Sequence, residues 1–215
     1  MDPSEIAPRQ REPVFQAPWP AVVVPLALIA IYGLQSWLGS ETAAEAWGFA
    51  PAAFDHGRWD TLVTAIFLHG SWPHVLMNAA FILAFGTPVA RRMGADAVGA
   101  LAFLVFFVLC GILGNLVFAG LDPKDAAPLV GASGAGSGLM AAASRLMTPT
   151  RRLASYLSPP VLAMAGAFVV ANLIVAVVGW APGAGDAQVA WQAHLGGYAA
   201  GLVLFAPTLA ILRRL

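Results

Sequence analysis

Six stretches of this chain are long and apolar enough to be read as membrane crossings: roughly 19–38, 72–90, 96–120, 133–148, 159–180 and 189–212. A helix needs about 20 mostly apolar residues to cross the hydrocarbon core. Lipid offers no partner to a backbone N–H or C=O, so such segments must be helical. The expected fold is an all-α membrane protein with six transmembrane helices. Composition agrees: 59% of the 215 residues are hydrophobic and 10% are charged, where soluble domains carry about 25% charged residues. Residues 1–18 read as a polar, proline-rich tail and 19–215 as one membrane domain. The first apolar stretch exceeds the ~7–15-residue core of a signal peptide and is read as a retained helix.

Charge supports the count. Arg9, Arg11, Arg91, Arg92, Arg145, Arg151, Arg152, Arg213 and Arg214 fall on one side of a six-span arrangement, and Arg58 and Lys124 on the other. Cations collect on the cytoplasmic side of membrane proteins, so both termini are expected there. The opposite side collects Glu41, Glu45, Asp55, Asp60, Asp122, Asp125 and Asp186. A five- or seven-span arrangement would scramble this segregation. The long connector 39–71 carries Trp47, Phe49, Phe54, Trp59, Ile66 and Phe67. It is too aromatic for a solvated loop, and short helices lying at the membrane surface are expected.

Several polar residues interrupt the apolar stretches. Ser133 stands in Gly131-Ala132-Ser133-Gly134 and His194 in Ala193-His194-Leu195-Gly196-Gly197. Ser133 lies 12 residues before Arg145, ~18 Å along a helix. The hydrocarbon core is ~30 Å thick. With Arg145 at the cytoplasmic edge, Ser133 lies below the outer surface and the loop 121–132 dips into the membrane. Irregular backbone at that depth must be buried in protein or line a water-filled cavity. His74 and His194, ~25 Å and ~28 Å along a helix from Arg91 and Arg213, also fall in the outer part of the bilayer. Asn78 follows His74 by four residues, which puts both on one helix face.

Small residues flank the Ser and the His. The fourth stretch repeats Gly134, Gly138 and Ala142, and the sixth Ala193, Gly197 and Gly201. Stripes of this spacing let membrane helices approach closely. Packing them together would bring Ser133 within reach of His194, as base-activated attack requires. The Ser133 N–H, at a helix N-terminus, could stabilise an oxyanion. A carboxylate behind the histidine is absent: no Asp or Glu occurs in 126–185 or 187–215. The expectation is a Ser–His dyad, with His194 oriented by packing.

This pattern resembles the rhomboid family of intramembrane serine proteases. The resemblance rests on Thr64 to Asn78 (TAIFLHGSWPHVLMN), Gly131-Ala132-Ser133-Gly134-Ala135, and Ala193-His194-Leu195-Gly196-Gly197 with Gly201, in that order on the expected spans. It covers about residues 20–212. It implies a six-helix rhomboid-like bundle with a partly embedded first loop. It implies Ser133 as nucleophile and His194 as general base, with His74, Asn78 and the Ser133 backbone N–H as the oxyanion hole. It implies transmembrane protein substrates with helix-destabilising small residues, a cap at about 181–190 and a lateral gate at the fifth helix. No cofactor is implied, and the expected location is a bacterial inner membrane. Two positions depart from the family pattern. Ser137 stands where many relatives carry an aromatic that stacks on the histidine, and Arg58-Trp59 lies out of register with the usual Trp-Arg pair.

Other readings fare less well. A zinc site from His69, His74 and His194 lacks an HExxH motif and a nearby acid. Zero net charge gives no case for nucleic acid. A transporter would be expected to carry internal repeats and midplane charges. A non-catalytic relative that binds transmembrane clients would typically have lost the serine or the histidine. The single Cys110 reads as a small core residue.

Overall fold

The computed structural model describes residues 17–150, 152–179 and 189–214. Its eight α-helices are α1 (Trp19–Leu38), α2 (Ser40–Trp47), α3 (Thr61–Phe67), α4 (Trp72–Met93), α5 (Ala97–Leu121), α6 (Ser133–Ser144), α7 (Pro159–Val178) and α8 (Trp191–Leu212), with a 3-10 helix at Pro51–His56. The described residues contain no strand, only a bridge between Phe49 and Leu129. Among the described residues five helices, α1, α4, α5, α7 and α8, have the length and composition to cross a membrane. The connector 39–71 folds into short helices, α2, the 3-10 turn and α3. The expected cap, 181–190, lies outside the described residues except for Val189 and Ala190, as does most of the tail.

Local sequence sets where the helices start and stop. Ser71 caps α4 by accepting the His74 N–H at 3.2 Å, and Pro73 occupies its first turn. Asp96 caps α5 by accepting the Gly99 N–H at 2.9 Å. Side-chain oxygens at these positions satisfy N–H groups that lack an intrahelical partner. Pro159 and Pro160 open α7, where the missing N–H costs nothing.

α6 sits at the centre, packed by α4, α5, α7 and α8. Ten of its twelve residues are buried. Its small side chains let the neighbours close in, and large ones fill the space around it: Phe103, Phe106 and Phe107 of α5, Ile82 of α4, and Phe205 of α8. The stripes on α6 and α8 meet directly. A Cβ on Gly134 would lie 3.2 Å from the Ala193 carbonyl oxygen, and Cβ atoms on Gly197 and Gly201 would strike the Gly134 and Gly138 carbonyls. On its other side Gly138 faces Cys110 of α5, whose Sγ would lie 2.5 Å from an added Cβ.

α6 ends four residues earlier than the stretch 133–148 suggested. The reason is Arg145, which is buried rather than extended toward the membrane surface. Its Nε donates to the Ala154 carbonyl at 2.8 Å, and its guanidinium lies 3.9 Å over the Tyr156 ring. These contacts hold the following segment under the helix end and turn the chain away.

The loop between α5 and α6 is pinned to the first connector. Phe49 and Leu129 exchange backbone hydrogen bonds at 3.0 and 2.8 Å, and the Gly131 N–H donates to the Ala65 carbonyl at 2.9 Å. These bonds tie the loop to the connector through its own backbone groups.

Candidate active site

The interlocked α6 and α8 bring Ser133 and His194 together. Ser133 opens α6, and its Oγ lies 2.8 Å from His194 Nε2. The side chains are partly buried at the ends of two helices whose glycines fix the spacing. As the first residue of α6, Ser133 has an N–H with no acceptor within the helix.

His74 and Asn78 lie one turn apart on α4, beside the loop that delivers Ser133. Gly131 marks the junction. Its φ is 135°, a conformation that side-chain-bearing residues rarely adopt. A Cβ there would lie 2.9 Å from His74 Nε2 and 3.8 Å from Asn78 Nδ2. Glycine therefore lets the backbone press against His74, with Asn78 alongside at ordinary contact distance, two residues before Ser133. Asn78 is buried, and its Nδ2 has no hydrogen-bond partner among the described residues. An amide donor left unmatched in a protein interior costs about 1–3 kcal/mol, a penalty removed by any acceptor that enters.

His194 is not held by packing alone, contrary to expectation. Its Nδ1 lies 2.9 Å from Oδ1 of Asn172 on α7. Ser137 donates to the Ser133 carbonyl at 2.7 Å and so braces α6. The signal that could have exposed Asn172 was its isolation in an apolar span, since intramembrane polar groups are rare without a use.

Further polar contacts support the site. Gln35 of α1 clasps the backbone of His69, accepting its N–H at 3.1 Å and donating to its carbonyl at 2.7 Å. The His69 ring is fully buried, 5.0 Å edge-on from His74. Burial, and then the neighbouring His74, push the His69 pKa down to about 3. Asn115 of α5 donates to the Leu62 carbonyl at 3.0 Å and ties α3 in place. The described residues contain no group of three or more His, Cys, Asp or Glu suited to a metal ion.

The Rhomboid domain family model matches residues 56–211. The chain belongs to the rhomboid family. Ser133, His194, His74 and Asn78 all lie inside the matched rhomboid segment, and α1 and α2 precede it. RHOMBOID-like protein 12 of Arabidopsis thaliana, mitochondrial by name, is 28% identical over 170 residues, 71% of this chain and 47% of that protein. Rhomboid-like protease 3 of Toxoplasma gondii is 36% identical over 92 residues, 43% of this chain and 32% of its own length. RHOMBOID-like protein 9 of Arabidopsis thaliana, chloroplastic by name, is 35% identical over 86 residues, 40% of this chain and 18% of that protein. The chain thus spans less than half the length of these rhomboid relatives.

Proposed function

We propose that this chain is an intramembrane serine endopeptidase that cleaves transmembrane segments of other membrane proteins. One observation carries the reading: the 2.8 Å contact between Ser133 Oγ and His194 Nε2, fixed by glycine packing between the helices that bear them. A hydroxyl in this relation to an imidazole is an activated nucleophile.

The geometry supports the following reaction. As Oγ bonds to the scissile carbonyl carbon, its proton passes to Nε2 and the carbonyl oxygen takes the negative charge. The Ser133 N–H, Asn78 Nδ2 and His74 form the oxyanion hole that receives it. The C–N bond then breaks while His194 returns the proton to the leaving nitrogen. Water repeats the sequence on the acyl ester, releasing the acid and restoring Ser133.

In this reading α6 completes a six-span bundle with both termini cytoplasmic, in a bacterial inner membrane. Arg91, Arg92 and Arg152 support the orientation, because they line one cavity at a single end of the bundle. α7 serves as the gate: of its twenty residues only Val161, Phe168 and Asn172 are buried, so it is the span held least by its neighbours.

A serine-directed fluorophosphonate tests the proposal. The wild-type chain in lipid vesicles should be labelled and should cleave a reporter transmembrane segment containing Gly and Ala. Ser133→Ala should do neither, and His194→Ala should lose cleavage. An unlabelled wild type in both detergent and lipid would instead favour a protein that binds membrane segments without cutting them.

A further inference from the structure

We propose that Asn172 is the positioning residue of the catalytic base, so that α7 is part of the catalytic unit as well as its wall. The inference rests on the protease reading above.

Asn172 Nδ2 lies 2.9 Å from the Phe168 carbonyl, one turn back on α7. A carbonyl only accepts, so the group facing it must be the NH2. This fixes the amide orientation and leaves Oδ1 facing His194, 2.9 Å from Nδ1. Oδ1 also only accepts, so Nδ1 must carry the proton in the neutral ring. Nε2 is then left with a lone pair, directed at Ser133 Oγ 2.8 Å away. The chain Phe168 carbonyl, Asn172, His194, Ser133 thus has one consistent direction, and it selects the tautomer that can take the serine proton.

Placement reinforces the point. Asn172 is 5% exposed on a helix whose neighbouring side chains face outward, with Leu173 49% and Ile174 57% exposed. One turn below, Phe168 stacks on Tyr198 of α8 with ring centres 4.6 Å apart. Phe168 and Asn172 are four apart on α7, and Tyr198 and His194 are four apart on α8. Two adjacent layers, one aromatic and one polar, therefore set α7 against α8 at the height of the base. The aromatic layer supplies adhesion, and the polar layer supplies orientation. Swinging α7 away by more than a hydrogen-bond length would release the ring, so the position of α7 governs whether His194 can act.

The test uses the full chain with Asn172→Leu, which removes the acceptor at similar volume, and Asn172→Asp. Asn172→Asp keeps an oxygen toward Nδ1 in either protonation state. Asn172→Leu should lower kcat roughly 10²-fold with little change in KM, and should slow fluorophosphonate labelling in parallel. Asn172→Asp should recover most of both. Nitrogen-15 spectra of histidine-labelled protein supply a readout that packing alone would not move. The wild type should show His194 protonated at Nδ1, and Asn172→Leu should shift it toward Nε2. Unchanged kcat in Asn172→Leu, or a wild-type His194 protonated at Nε2, overturns the proposal. The second result holds even where Asn172→Leu fails to fold. An inactive wild type with the Nδ1 proton in place would defeat the protease reading and leave the positioning geometry standing.

Discussion

Gly197 of α8 rests against the Gly134 carbonyl of α6, leaving no room for a methyl group between the helices. The backbone pair sits three residues past His194 and one past Ser133, so it sets the distance between the two side chains. Gly197→Ala should therefore lower thermal stability by about 1–3 kcal/mol, the usual range for overpacking, and cleavage should fall with it. Gly120→Ala is the control: an added Cβ there meets nothing within 4 Å. Melting curves of both variants in one detergent would separate them, and equal melting would refute the packing argument.

Asn78 presents a buried Nδ2 with no partner among the described residues. As an oxyanion donor it matters when charge develops, not when substrate binds. Asn78→Ala should cut kcat by about 10²-fold with KM nearly unchanged, and fluorophosphonate should still reach Ser133. A variant with normal turnover would remove Asn78 from the hole.

Gln35 meets both the N–H and the carbonyl of His69. Gln35→Leu would strand two buried backbone groups, each costing about 1–3 kcal/mol. The expected outcome is a lower melting temperature with the Ser133 labelling chemistry retained below it. Melting equal to wild type would mean that the 68–71 turn does not depend on α1.

His69 adds a pH dependence. Its folded pKa of about 3 lies below the ordinary value of about 6.5, so between them the unfolded chain binds more protons. Stability should fall as pH drops from about 6.5 toward 3, by at most ~1.4 kcal/mol per pH unit from this group. Melting temperatures at pH 7.5 and 5 should differ less in His69→Gln than in wild type. Equal differences would assign the effect to other groups.

The features readable in the sequence were those written as spacing. Apolar run lengths gave α1 its bounds, Trp19–Leu38, and placed α4, α5, α7 and α8 within three residues at each end. Four-residue repeats of glycine and alanine revealed which faces of α6 and α8 would meet. Asn172, Gln35 and Arg145 were not readable in this way, because each acts on a partner at a separation that no local pattern records. Asn172 meets a residue 22 positions away and Gln35 one 34 positions away. Arg145 reads as a surface cation until its carbonyl partners are in place. The arginine positions along the chain supplied an expected orientation, yet they could not tell a cation in water from one inside a helix bundle.

Cys110 is the sole thiol in the chain and has no exposed surface. Its sulfur rests against Gly138, at the point where α5 covers the helix that bears Ser133. A thiol reagent can reach it only when the packing around it opens. The protein thereby carries an intrinsic clock for its own opening: the alkylation rate of one native atom reports how often the core separates, with no engineered probe and no substrate.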